Sequence, residues 1–424
     1  MDLAVKKNFK ILSGEIEIPP DKSLSHRAII FSVLANGKSV IKNFSRGQDP
    51  HSSLAICKQL GADIIQDNQT VIVNSTGILK KPNWALYCGN SGTTMRLMAG
   101  VLSGQNFDSV LTGDESLSKR PMKRIIEPLS LMGANICADN FHAPLNIKGR
   151  QLKGIIYDAK IASAQVKSCI LLAGLFTDGV TKYKEIYPSR NHTEIMLKNM
   201  GANIYNDNDY ICIEKSELKP FEINICGDIS SAAYFIVAGL IVPNSRIILK
   251  NIGLNPTRSG IIEVVKQMGG DIEILDQRDV CGEVVGDVKI EYSPEMRGIE
   301  ISGEIIPALI DELPVITLLA TQCDGQTVVK DAQDLRNKES DRIKTTVCEL
   351  QKLGANIEET PDGMIINGKT PLNGGVETDS YKDHRLAMTL YVAGLICKKE
   401  ISIKDFEWVN ISFPEFLELV EKLK

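Results

Sequence analysis

The sequence predicts an α/β protein of two domains, each assembled from three copies of one helix–strand unit. Three observations carry this expectation. One signature recurs, in which an amphipathic helix ends in an apolar residue followed by Gly, Ala or Gly, a polar residue and Ile. It occurs as Leu60-Gly61-Ala62-Asp63-Ile64, Met132-Gly133-Ala134-Asn135-Ile136, Met200-Gly201-Ala202-Asn203-Ile204, Met268-Gly269-Gly270-Asp271-Ile272 and Leu353-Gly354-Ala355-Asn356-Ile357. Glycine suits the left-handed residue that stops a helix, and the isoleucine opens a strand. By subtraction the glycines lie 72, 68, 68 and 85 residues apart. Those periods are too long for a solenoid, so closed globular domains are expected. A sixth copy falls at the last helix, 414–424. Upstream of each lies a more apolar helix, over 27–35, 94–102, 166–176, 231–242, 313–322 and 385–397, and helices apolar nearly all round are buried. After each buried helix come a turn and a β-rich run, such as Ser39-Val40-Ile41 or Thr327-Val328-Val329.

The first strand, 14–18, precedes the first unit, and the fourth unit opens at Gly227-Asp228-Ile229-Ser230-Ser231. The expected domains are therefore 20–226, and 1–19 together with 227–424. No low-complexity linker separates them, which points to a short stiff hinge.

Composition narrows the function. A net charge of −5 and a pI near 5.7 argue against nucleic acid or an anionic membrane as partner. An anionic ligand must then be held by locally placed cations. Ten cysteines are scattered without a Cys-x-x-Cys, and five histidines show no metal-ligand spacing, so no metal is expected. All ten cysteines read as small core residues in a reducing compartment. The start, Met1 to Lys7, lacks the apolar core of a signal peptide. The longest apolar run, 232–242, is short of the ~20 residues a bilayer needs. A cytoplasmic, soluble monomer is expected.

The chemistry lies at the heads of the buried helices. The first carries Pro19-Pro20-Asp21-Lys22-Ser23-Leu24-Ser25-His26-Arg27, where the prolines end the strand and Asp21, Ser23 and Ser25 offer capping oxygens. The second has Asn90-Ser91-Gly92-Thr93-Thr94 and then Arg96. The third has Ser163-Ala164-Gln165 and Lys167-Ser168, the fifth Asp311-Glu312 and the sixth Asp383-His384-Arg385. Free N–H groups and the helix dipole favour an anion at such ends. If all six met in one cleft, about half a charge each would give on the order of +3, enough to attract a multiply anionic ligand. For the fourth unit simple capping is the better reading. Further cations come from Lys119-Arg120-Pro121, ahead of a helix over 122–132 with the proline at its first position. Arg336-Asn337-Lys338-Glu339-Ser340-Asp341-Arg342 opens the helix ending at Leu353, with Lys338 and Arg342 on one face. Gly-x-Gly-x-x-Gly, the P-loop and Gly-x-Ser-x-Gly are all absent from the sequence. Ser91 reads as part of a backbone-lined anion loop rather than as a nucleophile, since Gly92 lets a ligand approach the main chain.

Asp-Lys-Ser-Leu-Ser-His-Arg in the first unit, Gly-Asn-Ser-Gly-Thr-Thr-Met-Arg in the second, Lys338-Glu339-Ser340-Asp341-Arg342 and Asp-His-Arg in the sixth together resemble one family over essentially the whole chain. It is the 5-enolpyruvylshikimate-3-phosphate (EPSP) synthase family, also called 3-phosphoshikimate 1-carboxyvinyltransferase. The resemblance implies an inside-out α/β barrel in each of two domains, three βαβαββ units apiece, with the active site in the cleft between them. It implies transfer of the enolpyruvyl group of phosphoenolpyruvate to the 5-hydroxyl of shikimate 3-phosphate, with release of phosphate, in the shikimate pathway of aromatic amino acid biosynthesis. No cofactor is implied. By the same resemblance Lys22, Ser23, Arg27, Ser163, Ala164 (through its backbone), Gln165, Arg190, Asp311 and Lys338 hold shikimate 3-phosphate. Lys22, Gly92, Arg120, Gln165, Arg342 and Arg385 hold phosphoenolpyruvate. Asp311 is the base and Glu339 the carbon-protonating acid, with Lys22 a proton shuttle. Lys338 and Arg342 are expected to favour the ionised form of Glu339 in an open, wet site, and desolvation on closure would push the other way.

The chain departs from the family pattern in places. Ile411 stands where many relatives have a lysine, Ala164 replaces a serine found in some members, Asp334 stands where others have Asn or Glu, and Gly92, rather than alanine, implies sensitivity to glyphosate. The related UDP-N-acetylglucosamine enolpyruvyl transferases carry Lys-Asn in place of Lys22-Ser23 and a loop cysteine that 107–121 lacks. The RNA 3′-phosphate cyclases share the fold type but are shorter, and the acidic pI disfavours RNA. A non-catalytic anion-binding homologue would be expected to lose Asp311 or Glu339, and both are present.

Overall fold

A computed structural model describes residues 2–5 and 11–424 of the chain. The fold divides into two units. The terminal unit comprises Met1–Pro19, Cys226–Asp279 and Val284–Lys424, and the inserted unit Pro20–Ile225 with Val280–Glu283.

In the inserted unit the principal helices are α1 (Lys22–Leu34), α2 (Gln48–Gln59), α3 (Gly92–Ser103), α4 (Lys123–Leu131), α5 (Ala164–Gly174) and α6 (His192–Asn199). In the terminal unit they are α7 (Ile229–Ile241), α8 (Gly260–Met268), α9 (Leu313–Ala320), α10 (Arg342–Lys352), α11 (His384–Ile396) and α12 (Phe416–Lys422). The odd-numbered helices are the apolar ones. Every residue of α7 and α9 is buried, and all but the first of α1. They pack on one another at the centre of their unit while the sheets lie outside, because a helix without a polar face can only be covered on all sides.

Each of the first five repeats builds one sheet by the same rule. The strand after the buried helix pairs in parallel with a short strand and antiparallel with one arm of a hairpin. In the first repeat Asn36–Lys42 lies between Glu222–Asn224, in parallel, and Thr70–Thr76, which in turn pairs with Asp63–Asp67. The order β-α-β-α-β-β is plain in the second repeat, from Leu86–Tyr87 to His142–Lys148. Two repeats borrow their leading strand. Glu222–Asn224 closes the inserted unit back onto its first sheet, and Ser13–Glu17 joins Arg246–Gly253 in the fourth. That second borrowing is why the terminal unit is discontinuous in sequence. The sixth sheet has three strands among the described residues, Glu377–Asp379, Ile401–Lys404 and Leu3–Val5.

The repeat glycines act as their spacing predicts. Gly61, Gly133, Gly201, Gly269 and Gly354 have φ of 98°, 91°, 85°, 84° and 101°. At Gly133 a Cβ would meet nothing within 4 Å, so the demand there is purely conformational, about 1 kcal/mol for any other residue.

Three local expectations are corrected. The charged stretch before Leu353 is not one helix: 333–337 is a 3-10 turn, Lys338 is extended, and α10 begins only at Arg342, capped by Asp341. Lys338 and Arg342 therefore share no helical face. The helix after Pro121 starts at Lys123, with Met122 as its cap, which leaves the proline outside. Among the cysteines, Cys137 and Cys281 are exposed and Cys348 is half-buried. Cys137 lies on a strand whose outer side meets solvent, and Cys281 lies in a hairpin turn.

Candidate active site

In the inserted unit, local capping sets the first group of side chains. The Asp21 carboxylate accepts from the Leu24 N–H at 2.8 Å and fixes the start of α1. Of the three capping oxygens offered there, this is the one that caps. Lys22 is the first helical residue, its Nζ 3.2 Å from Asp49 Oδ2 and its side chain 19% exposed. One turn on, Arg27 is buried and donates from Nε to Thr193 Oγ1 at 2.8 Å, from Nη2 to Ser168 Oγ at 2.8 Å and from Nη1 to the Ser23 carbonyl at 3.1 Å. Arg190 reaches the same turn, donating to Ser23 Oγ at 3.3 Å. Lys22, Ser23, Arg27 and Arg190 thus gather at one helix start although 190 lies far along the chain.

A second cluster joins the starts of α3 and α5. Ser91 caps α3, its Oγ accepting from the Thr94 N–H and hydroxyl at 3.1 and 2.8 Å, and it is buried. That removes it as an exposed nucleophile. Gly92 is the first residue of α3. Arg96 donates to Gln165 Oε1 at 2.6 Å, and the Gln165 amide donates to Thr93 Oγ1 at 3.0 Å. Ser163 caps α5 through Val166 N–H at 3.5 Å, with Ala164 next to it. Arg120 donates to Asn90 Oδ1 at 2.7 Å, and Asn90 in turn donates to Asp114. Behind both clusters runs a buried chain of hydrogen bonds, His26 to Ser53 to Thr94, each 2.8 Å. Burial, reinforced by Lys22 and Arg27, holds the His26 imidazole well below its ordinary pKa, so it is neutral. Five cations (Lys22, Arg27, Arg96, Arg120, Arg190) face three carboxylates (Asp21, Asp49, Asp114) here, so an acidic chain carries a locally positive site.

The terminal unit balances its charges differently. Arg342, 1% exposed, donates from Nε to Asp383 Oδ2 at 2.8 Å, from Nη2 to Glu339 Oε2 at 2.6 Å and from Nη1 to Asp311 Oδ1 at 3.3 Å. Burial opposes its charge, but Asp383 and Glu339 more than offset this and raise its pKa above the ordinary value. Asp383 caps α11 through the Arg385 N–H at 2.9 Å; burial favours its neutral form, yet Arg342 keeps its pKa low. Lys338 Nζ lies 3.4 Å from Asp311 Oδ1 and 3.5 Å from Asp334. Arg385 is 4.0 Å from Asp311 Oδ2 and 3.9 Å from Glu312 Oε1. Asp311, Lys338, Glu339, Arg342 and Arg385 are thus brought together, through Asp311 and Arg342 rather than by a shared helix face. Ile411 is buried in the 3-10 turn Phe406–Ile411.

Sequence reasoning missed Arg258. It is buried at 3% exposure, donating to Asp228 Oδ1 at 3.1 Å and Ser230 Oγ at 2.6 Å, with Glu312 at 3.7 Å. Asp228 does cap α7, through Ser230 N–H at 2.9 Å, so the capping reading of the fourth unit holds but is incomplete. A lone arginine ahead of an ordinary helix gives no signal in sequence. Asp49 and the Arg96–Gln165 bond were likewise not anticipated.

Comparison with known proteins places the chain among named relatives. The family model for EPSP synthase (3-phosphoshikimate 1-carboxyvinyltransferase) matches residues 6–420. The 3-phosphoshikimate 1-carboxyvinyltransferase of Thermodesulfovibrio yellowstonii is 54% identical over 425 residues, covering 99% of both chains. That of Bacillus pumilus is 50% identical over 417 residues, covering 97% of both. Among solved structures, EPSP synthase from Acinetobacter baumannii superposes with a TM-score of 0.88 at 42% identity, covering 100% of this chain and 98% of that one. The enolpyruvyl transferase NikO from Streptomyces tendae shares the fold, with a TM-score of 0.80 at 16% identity over 100% of this chain and 97% of that one.

Proposed function

The chain belongs to the EPSP synthase family, and from that premise we propose that it transfers the enolpyruvyl group of phosphoenolpyruvate to the 5-hydroxyl of shikimate 3-phosphate by addition and then elimination. The observation that carries the mechanism is that two carboxylates, Asp311 and Glu339, share one buried guanidinium, Arg342, at 3.3 and 2.6 Å. Addition needs one group to take the hydroxyl proton while another delivers a proton to the methylene carbon. Asp311, faced by Lys338, Arg342 and Arg385, takes the first role as a carboxylate. Glu339, 18% exposed, takes the second and must carry a proton to do so, although Arg342 at 2.6 Å favours its ionised form. The new C–O bond gives a tetrahedral intermediate. Elimination returns a proton from its methyl group to the Glu339 carboxylate and breaks the C–O bond to phosphate, which leaves with the electron pair. Lys22 offers a cation to that departing phosphate and shuttles protons.

Binding divides accordingly. Shikimate 3-phosphate is assigned to Lys22, Ser23, Arg27, Ser163, the Ala164 backbone, Gln165 and Arg190 of the inserted unit, and to Asp311 and Lys338. Phosphoenolpyruvate is assigned to Lys22, Gly92, Arg120 and Gln165, and to Arg342 and Arg385 of the terminal unit. The cation excess in the inserted unit supports its part as the main anion binder. The reading requires both units to engage one substrate pair. We also read the enzyme as a cytoplasmic monomer; sedimentation as a single species near 46.6 kDa is the expected result.

The test is phosphate release from the full chain with shikimate 3-phosphate and phosphoenolpyruvate, omitting each in turn. Release is expected only with both. Equal release from phosphoenolpyruvate alone, or none with the pair, would sink the proposal.

A further inference from the structure

We propose that Lys167 is a positioning residue for Arg190, setting the affinity for shikimate 3-phosphate without touching it; this rests on the reading above that Arg190 contacts that substrate. Lys167 lies in the first turn of α5 with its side chain fully buried. Its ammonium meets three acceptors, all on one segment: Glu185 Oε2 at 3.1 Å, the Ser189 carbonyl at 3.0 Å and Glu194 Oε1 at 2.6 Å. Glu185 follows the strand Thr181–Lys184, and Glu194 lies in the first turn of α6. One ammonium therefore ties the beginning, middle and end of a loop.

The middle tie falls next to Arg190. Glu185 Oε1 accepts from the Ser189 N–H at 3.0 Å and from its hydroxyl, so Ser189 is pinned through its amide by Glu185 and through its carbonyl by Lys167. That carbonyl belongs to the Ser189–Arg190 peptide. The backbone from which the Arg190 side chain departs is fixed, and its guanidinium meets Ser23 Oγ. Adjacent residues on the same two helices do the same for Arg27, since Ser168 and Thr193 pair at 2.7 Å and both accept from its guanidinium. α5 thus carries two consecutive anchors, Lys167 for Arg190 and Ser168 for Arg27. Packing alone would be met by an apolar side chain, which avoids burying an ammonium. The charge is needed to hold three oxygens of a loop in one place.

The experiment is a double-mutant cycle on the full chain, reading the dissociation constant of shikimate 3-phosphate by titration calorimetry and KM for both substrates. Lys167→Met and Arg190→Ala are each expected to weaken shikimate 3-phosphate about tenfold. Together they should be no weaker than Arg190→Ala alone within twofold, with KM for phosphoenolpyruvate changed less than threefold. If Lys167→Met does not fold, Glu185→Gln enters the same cycle with a smaller, about threefold effect. Equal factors for the lysine substitution in both backgrounds would make its role independent of Arg190 and overturn the proposal. So would an unchanged dissociation constant in either single variant. Wild-type protein that does not bind shikimate 3-phosphate at all would bring down the functional reading itself, a result separable from the others because it needs no variant.

Discussion

Replacing Gly92 by alanine is expected to damage phosphoenolpyruvate binding while sparing the fold. Gly92 opens α3 without a left-handed φ, so the backbone accepts alanine. The obstacle is a side chain: an added Cβ would lie 2.5 Å from Arg96 Nη1 and 3.6 Å from Arg120 Nη1. An ordinary contact is about 3.5 Å, so the Arg96 guanidinium must retreat by about 1 Å. Arg96 is 4% exposed and holds Gln165 at 2.6 Å. A retreat directed away from Gln165 stretches that bond to about 3.6 Å, past the limit of hydrogen bonding. Losing a hydrogen bond to a charged group costs the fold about 1.5–3 kcal/mol, and to the extent that phosphoenolpyruvate must restore the placement of Gln165 on binding, affinity falls by up to roughly 10- to 150-fold. KM for phosphoenolpyruvate, measured by phosphate release at saturating shikimate 3-phosphate, should rise by a factor in that range. Alanine is the better helix former by up to ~1 kcal/mol, which offsets part of that loss, so Tm should fall by only a few degrees. Wild-type protein should be inhibited by millimolar glyphosate competitively with phosphoenolpyruvate, and the variant less so. A KM within twofold of wild type would refute the chain of contacts from Gly92 through Arg96 to Gln165.

Other substitutions probe the remaining parts. Lys22→Ala should abolish turnover with the circular dichroism spectrum unchanged; near-normal phosphate release would remove Lys22 from the site. Glu339→Gln keeps a partner beside Arg342 and should cost about 10²- to 10⁴-fold in kcat with little change in shikimate 3-phosphate affinity. An unchanged kcat would place the proton donor elsewhere. His26 titrates below its ordinary pKa of 6.5 in the fold, so below that pH the unfolded chain binds a proton the folded one refuses. Its contribution to stability is complete above about pH 6.5 and falls by up to ~1.4 kcal/mol per pH unit as the pH drops. Urea unfolding of His26→Asn should show a shallower loss of stability between about pH 5 and 6.5; an identical slope would mean His26 is charged in the fold.

What was legible in the sequence is what one residue can decide alone. A left-handed helix end demands glycine, so five glycines exposed the repeat. A helix start favours a short oxygen-bearing side chain, and Asp21, Ser91, Ser163, Asp228 and Asp383 all cap as that preference predicts. Partner choice was not legible, because topology sets it across 60 to 170 residues. Arg96 finds Gln165 and Arg27 finds Thr193 only once the helices are packed. The spacing of Lys338 and Arg342 misled for a related reason. Four residues apart means a shared face only inside a helix, and the 3-10 turn before α10 breaks that premise, yet both side chains still converge on Asp311.

One sign of function could have been read from local rules alone. Lys22, Arg342 and Arg385 occupy the first or second position of α1, α10 and α11, where the helix dipole disfavours a cation by about 0.3–1 kcal/mol each. Each follows the aspartate that caps its helix: Asp21, Asp341 or Asp383. The cap satisfies the helix, and the cation beside it gives some of that stability back. Three such reversals, in helices with otherwise good starts, are offset by tertiary ion pairs (Asp49 for Lys22, Asp383 for Arg342, Asp311 for Arg385) rather than by the local preference, which glutamate or serine would meet. They make sense if anionic groups are to sit at those N-termini, since each would meet free N–H groups and a side-chain cation together. Departures from a local preference concentrate where a sequence serves something other than its own stability. By that criterion these three positions stand out before any partner is known.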